Sequence, residues 1–171
     1  QVNVAPSIRP YLDLWPLPNV PGSRPGGTGQ LAIASKEVTD QHYWMTRVDH
    51  RLSDSGTLFG RFTLDQGDKT RPYPIPITNA DISTRTRYVQ LQYDHIWSPT
   101  MISNTRVAYN RTYLGSDVSL NIDYPANLFI LNKRVPPNFT YTGVSTFGPG
   151  DRDIFLNVQN LYQIQQTFVY T

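Results

Sequence analysis

The densest group of side chains with useful chemistry lies in one stretch, where charged residues recur at every second position. Arg47, Asp49 and Arg51 precede a predicted turn, and Arg61 follows it. Residues two apart in a strand lie on the same face, so this spacing predicts a face that carries guanidinium and carboxylate groups. Such a face can contact a ligand, or it can simply form ion pairs between neighbouring strands. We favour the second interpretation, because one stretch of sequence does not reveal a ligand.

Other side chains that support catalysis or metal binding form no recognisable motif. His42, His50 and His95 lack the spacing of metal ligands. No glycine-rich phosphate loop follows a predicted strand, and no nucleophile is arranged with a base that would activate it. The sequence therefore predicts neither an enzyme, nor a metal site, nor a cofactor.

Composition narrows the class of protein further. The 171 residues carry a net charge of only +2, which gives no electrostatic footprint for nucleic acid. The absence of cysteine excludes disulfides and thiolate metal sites. Fourteen prolines and 11 glycines disfavour a helical protein, and no apolar run is long enough for a transmembrane helix. Since the sequence begins like a loop and ends like a strand, we expect it to be part of a longer protein.

Apolar and polar residues alternate with the two-residue period of a strand in two hairpins and one further stretch. The first hairpin turns at Ser53 to Thr57, and the second turns at Ser98 to Thr100. A long loop occupies 1–40, and 127–135 is a candidate for one short extra strand. The main strands are predicted at about 41–52, 58–65, 86–97, 101–113 and 157–171.

Pairing the residues across each turn sorts both hairpins into two faces. In the first hairpin, Leu52 opposite Leu58 places Asp49 against Arg61. In the second, Trp97 opposite Met101 places Asp94 against Asn104, among other pairs. This register predicts that one face holds Val48, Phe62, Leu91 and Val107 together.

Three features favour the wall of a membrane β-barrel over a soluble sheet. The predicted strands are longer than the five or six residues typical of soluble proteins. Short turns alternate with long loops, as in a barrel with two different rims. Aromatic residues gather near strand ends, as at a lipid–water interface. These aromatic residues are Tyr43, Trp44, Tyr88, Trp97, Tyr109, Tyr113, Tyr162 and Tyr170.

The predicted fold is therefore all-β, an antiparallel up-and-down meander of about five long strands that forms a segment of a transmembrane β-barrel. The alternative is a soluble all-β ligand-binding module, for example one that binds carbohydrate. The candidates for lipid-facing positions are Val48, Phe62, Leu64, Val89, Leu91, Val107 and Tyr109. The candidates for polar, lumen-facing positions are Arg47, Asp49, Arg51, Arg61, Asp65, Gln90, Gln92, Asp94 and Arg106.

Several phrases of the sequence resemble the barrel of TonB-dependent outer-membrane receptors. The similarity is greatest to the Oar-like subgroup, which often carries a carboxypeptidase-regulatory-like domain. The matching phrases are PYLDLWPLPN at 10–19, RVDHRLSDSGTLFGRFT at 47–63 and HIWSPTMISNTRVAYNRT at 95–112.

The resemblance implies an outer-membrane importer of a nutrient that the sequence does not identify. In this family a barrel of about 22 strands surrounds a plug domain, and TonB binds in the periplasm. Five strands are too few to close a barrel, so the expected partners are outer-membrane lipid, the rest of the barrel, the plug and TonB. The resemblance places the short turns in the periplasm and the long loops outside. The expected ligand contacts in these loops are Tyr11, Trp15, Tyr73 and Phe147.

Overall fold

The computed structural model describes residues 3–22, 26–130, 136–140, 142–143, 145–149 and 153–171. It confirms the all-β prediction, because five strands form one open sheet in which each strand pairs with its neighbours in the sequence. The strands are β1 (Val38–Arg51), β2 (Gly56–Pro72), β3 (Thr78–Ser98), β4 (Met101–Leu120) and β5 (Phe155–Tyr170).

Helices contribute little to the part of the chain that the structure describes. One α-helical turn, α1, spans Arg9–Leu12, and a 3-10 helix spans Ala126–Leu128. Neither has the length and apolar character needed to cross a membrane, and no other described helix does. The 3-10 helix occupies the beginning of the short strand predicted at 127–135, whose last five residues lie outside the described ranges.

The central strands extend well beyond the predicted ends. β2 continues past Asp65 to Pro72, and β3 begins at Thr78 instead of about residue 86. The predicted loop between them therefore shrinks to 73–77. β4 likewise runs to Leu120, and β5 begins at Phe155.

Polar cross-strand contacts maintain the added length of β2 and β3. Thr70 Oγ1 donates a hydrogen bond to Asp81 at 2.8 Å, and Ser83 Oγ donates one to Asp68 at 2.7 Å. Both faces of this part of the ladder carry polar side chains. The apolar alternation that predicts strands is therefore absent here, although the backbone pairing continues.

The first hairpin turns more tightly than predicted. The backbone N–H groups of Leu52 and Ser53 both donate to the carbonyl oxygen of Gly56, at 2.9 and 3.2 Å. Gly56 thus lies opposite Leu52, where Leu58 was predicted. The pairing has moved by two residues, and an even shift leaves every side chain on its predicted face.

The shift also corrects the predicted pair of Asp49 and Arg61. Asp49 does not face Arg61: its carboxylate is bound by Arg47 on the same strand, at 2.7 Å. The Arg47 guanidinium also lies over the Phe59 ring, 4.3 Å from its centroid. Arg61 instead lies over the ring of Tyr88 in β3. Both arginines nevertheless remain on the predicted polar face.

The second hairpin has its predicted register. The Asn104 side chain donates a hydrogen bond to the Asp94 carboxylate, which is the pair expected from Trp97 opposite Met101. On the other face, Trp97 Nε1 donates to Ser103 Oγ at 2.9 Å. The Ser-Pro-Thr turn is short and local, so its length fixes the pairing.

The chain divides into two compact units. The loop unit comprises Gln1–Val38, Lys69–Ile82 and Ser116–Phe155, and the sheet unit comprises Thr39–Asp68, Ser83–Gly115 and Leu156–Thr171. The loop unit contains an apolar core formed by Ile75, Ile77, Tyr124, Leu128 and Phe147. In the sheet unit the outer strands β1 and β5 are exposed along almost their whole length.

Candidate functional site: two faces of the sheet and an aromatic loop cluster

Side-chain contacts define one predominantly apolar face across the sheet. The rings of Trp44 and Phe62 lie 5.6 Å apart across β1 and β2. A Cβ on Gly60 would lie 3.2 Å from Leu91, which joins β2 to β3. Because side chains alternate between the two faces along each strand, these contacts assign the remaining residues to one face or the other. The apolar face carries Trp44, Val48, Leu58, Phe62, Leu64, Val89, Leu91, Tyr93, Trp97, Val107, Tyr109, Tyr162, Ile164, Phe168 and Tyr170.

A row of polar residues bounds this apolar belt toward the loop-side ends of the strands. Each lies on the same face, two residues beyond Trp44, Leu64, Val89, Tyr109 or Tyr162, and β5 continues past this row with apolar side chains on that face, Val158 and Leu156. Those five polar residues are His42, Gln66, Arg87, Arg111 and Asn160. Many belt side chains are well exposed, among them Trp44 at 53% and Ile164 at 83%. So large an exposed apolar surface is typical of an interaction face.

Aromatic residues lie at both ends of the belt. At the short-turn end, the His95 ring packs 4.4 Å from Trp97 and accepts or donates a 2.9 Å hydrogen bond with the Tyr93 hydroxyl. At the other end lie Trp44, Tyr109 and Tyr162. Two other residues of the predicted aromatic set, Tyr43 and Tyr88, lie by alternation on the opposite face.

The opposite face is polar, and all nine predicted polar positions lie on it. Gln41 Nε2 donates to Asp65 at 2.8 Å across β1 and β2. The Tyr88 hydroxyl donates to Gln90 Oε1 at 2.7 Å, and Gln92 donates to Asp94 at 3.1 Å. The side chains therefore form a hydrogen-bonded layer. The ion pairs of the charge cluster, however, join Arg47 to Asp49 and Arg51 to Asp54 along the chain, and not across neighbouring strands as predicted.

Some polar atoms in this layer are buried without a hydrogen-bond partner among the described residues. They are Nε of Arg61, Nε of Arg106 and Oδ1 of Asn110. Nearly all buried polar atoms in native proteins have a partner, so these three mark the part of the polar face where a further polar group fits best. Sequence alternation alone gives no signal for them.

The loop unit contains an aromatic cluster that the sequence predicts only in part. Trp15 packs 4.4 Å from Phe147, and Tyr11 packs edge-on to Phe139 at 5.1 Å. Phe147 is 0% exposed, which corrects its predicted role as a ligand contact and makes it the centre of the loop core. Its partners come from distant segments, so no local pattern reveals its burial.

One cavity of about 520 Å³ lies beside this cluster. Its lining is mixed: Trp15, Leu17, Leu31 and Ile75 contribute apolar side chains, and polar residues such as Gln30 contribute as well. Of the four predicted ligand contacts, Trp15 alone lines this cavity.

Tyr73, also in the loop unit, is partly buried. Burial, followed by the nearby carboxylate of Asp153, raises the pKa of the Tyr73 hydroxyl far above its usual value. The side chain therefore stays neutral at any physiological pH.

The histidines remain apart from other metal-ligating groups. Within the described ranges, no three His, Cys, Asp or Glu side chains gather as metal ligands would. His95 is engaged with Tyr93 and Trp97, as described above.

Comparison with known proteins supplies one match. No curated protein and no solved structure matches the chain. A family model described as an outer membrane beta barrel domain matches residues 1–171, the whole sequence. The two-faced meander with its bounded apolar belt is the architecture that such a domain requires. The chain therefore belongs to the outer membrane beta barrel domain family and lies in the outer membrane.

Proposed function

We propose that this chain forms part of the wall of a TonB-dependent receptor, of the Oar-like kind, that binds and imports a nutrient. The observation that carries the proposal is the pair of opposed faces: an apolar belt of limited height on one side and a hydrogen-bonded polar layer on the other. The family match supports the barrel, and the phrases at 10–19, 47–63 and 95–112 support the receptor type.

The apolar belt is the surface that contacts lipid. Its side chains are exposed, its ends are aromatic, and polar residues follow on every strand at the loop side. Tyrosine and tryptophan favour the boundary of a bilayer because their rings are apolar and their hydroxyl or N–H groups need polar partners.

The polar face lines the interior of the barrel. The unpartnered Nε atoms of Arg61 and Arg106 favour contact with a further acceptor, which a plug domain or a passing solute would supply. Other charged groups on this face already have partners: Arg47 is paired with Asp49, and the carboxylates of Asp65 and Asp94 accept hydrogen bonds from neutral side chains. The role proposed for the face is therefore passage and packing, with no catalytic step.

The outer strands require the remainder of a barrel. Among the described residues, β1 and β5 each pair on one side only, which leaves a row of backbone N–H and C=O groups along each edge. Lipid offers no hydrogen bonds to such groups, and each unpaired group costs several kcal/mol there. Further strands of the same barrel are the partners that these edges fit.

The loop unit is the proposed receptor surface for the nutrient. Its cavity combines an indole ring with proline and aliphatic side chains, which suits an uncharged or weakly charged ligand group. Its separate apolar core gives the loop segments a fixed shape, so that binding needs little ordering.

A bilayer experiment tests the proposal. The full-length protein that contains this chain is inserted into planar bilayers, and its binding to the isolated periplasmic domain of TonB is measured. A plugged receptor should give no steady ionic current and should bind TonB, more tightly once its nutrient is present. Steady current together with no TonB binding would contradict the receptor assignment and indicate an open pore.

A further inference from the structure

Three arginines interrupt the apolar face just beyond the end of the belt. Arg85, Arg87 and Arg111 line a depression of about 440 Å³ together with Ser83 and Tyr113. All five residues lie at odd positions of β3 and β4, so their side chains share the face that carries Val89 and Tyr109. Since this face is opposite the polar face, the cationic depression is not part of the polar interior proposed for the barrel.

The three guanidinium groups differ in how they are held. Arg85 Nη2 contacts the Asp68 carboxylate at 2.8 and 2.9 Å, and Arg85 Nη1 donates to the Gly67 carbonyl at 2.9 Å. This clamp fixes Arg85 and uses most of its donors. Asp68 is also the acceptor for Ser83.

Arg87 and Arg111 are exposed, and neither has a hydrogen bond or ion pair within the described part of the chain. Of the three arginines, only Arg85 is paired with Asp68. Two unpaired positive charges therefore remain side by side on adjacent strands, at the level where the belt ends.

We infer that this depression binds the phosphate-bearing headgroup of an outer-membrane lipid. The inference rests on the proposed function, since it needs the belt to lie against lipid. If the acyl chains of a lipid cover Val89 and Tyr109, its headgroup lies at the next residues on the same face. Those residues are Arg87 and Arg111. Guanidinium groups bind phosphate oxygens through paired N–H donors, and the Tyr113 hydroxyl adds another donor.

Binding of a phosphorylated glycolipid tests the inference. The full-length protein in a nonionic detergent is titrated with bis-phosphorylated lipid A, with the same lipid after removal of its phosphates, and with inorganic phosphate. Native mass spectrometry counts the bound lipid. The bis-phosphorylated lipid should bind more tightly than the other two, and added salt should weaken it.

The double variant R87Q/R111Q removes both unpaired charges. We expect its affinity for the bis-phosphorylated lipid to fall by about tenfold or more, since basic residues at a membrane surface contribute directly to the binding of anionic lipid. The matched control, R47Q/R51Q, removes two arginines from the polar face and should bind as the wild type does. Unchanged affinity in R87Q/R111Q, equal binding of the dephosphorylated lipid, or equally tight binding of inorganic phosphate would each overturn the inference.

A second measurement separates this inference from the proposed function. Lipids with brominated acyl chains quench tryptophan fluorescence on contact, and Trp44 and Trp97 both lie on the belt. Quenching together with lipid A binding that ignores Arg87 and Arg111 would sink the phosphate site alone. No quenching in a folded protein would mean that the belt does not face lipid, and the proposed function would fail first.

Discussion

Tyr109 and Tyr162 pack their rings across β4 and β5 with centroids 5.0 Å apart, at the loop-side end of the apolar belt. The Tyr109 hydroxyl reaches past this pair and donates to Asn160 Oδ1 at 2.8 Å. The two rings thus lie within the apolar belt, and the Tyr109 hydroxyl points toward the polar residue Asn160 beyond it. This orientation is the one that an interface between hydrocarbon and water selects.

The hydroxyl contact should make a measurable contribution to stability. Tyr109→Phe should lower the free energy of unfolding in detergent micelles by about 1 kcal/mol, because one hydrogen bond is lost while the ring contact with Tyr162 stays. The same change in an Asn160→Ala background should cost almost nothing. Equal losses in both backgrounds, measured by urea unfolding, would show that the hydroxyl does not act through Asn160.

A charge within the belt should hinder stable insertion. Leu91→Arg should cost about 1–3 kcal/mol, because the guanidinium would lie in the hydrocarbon layer, between its centre and the boundary marked by Val89. The control is Gln92→Arg, one residue away on the polar face, which should be tolerated. Yield of the folded protein in purified outer membranes measures both. Similar yields of the two variants would contradict the assignment of the faces.

Gly148 has a conformation and surroundings that exclude a side chain. Its φ is +83°, and a Cβ at this position would lie 2.4 Å from the Pro137 carbonyl oxygen. Gly148→Ala should therefore disturb the neighbouring core residue Phe147 and loosen the loop unit. Faster cleavage of the loop unit by a protease would report this loss.

Gly143→Ala is the matched control for Gly148→Ala. Gly143 has a similar φ of +81° but open space around the added Cβ. The Gly143→Ala variant should lose only about 1–2 kcal/mol, which is what the left-handed backbone conformation costs a residue with a Cβ, because its added Cβ meets no other atom. Equal protease sensitivity of the two variants would mean that backbone strain accounts for both effects.

The loop unit should lose stability at high pH through Tyr124. Burial, followed by the nearby Tyr11, raises the pKa of Tyr124 from 10.0 to about 12. The folded state therefore keeps the proton where the unfolded state loses it. Stability should be complete below about pH 10 and should fall between about pH 10 and 12.

The variant Tyr124→Phe isolates this effect. Urea unfolding followed by near-ultraviolet circular dichroism should show a loss of order 2 kcal/mol for the wild type across that range, and a smaller loss for the variant. Parallel curves for the two proteins would show that other groups cause the alkaline transition.

The hairpins can be predicted because the residues that determine their faces and pairing are close together in the sequence. Alternation assigns the faces, and the short turns set the pairing, as the Asp94–Asn104 contact confirms for the second hairpin. In the first hairpin the turn is tighter than its composition indicates, yet the shift is even and the faces survive. Alternation fails beyond Asp65, where polar contacts such as Thr70 with Asp81 continue the ladder.

The loop unit is predictable only in outline. Tyr11, Leu14 and Trp15 pack against its core, which agrees with their apolar character in an otherwise polar segment. The core itself joins Ile75, Tyr124 and Phe147 from three separate segments, and no periodicity links them. Burial that depends on distant segments cannot be read from local sequence, which is why Phe147 resembles an exposed contact until the fold is known.

The order of strands in the sheet also determines how the chain can assemble. β1 with β2, and β3 with β4, are joined by very short turns, so their pairing closes small loops and requires little loss of chain entropy. β4 and β5 are separated by 121–154, so their pairing closes a much larger loop. We expect the two hairpins to form first, starting at their turns, and β5 to pair last. Closure of the long segment before β5 should therefore be the slowest step in the assembly of this part of the barrel.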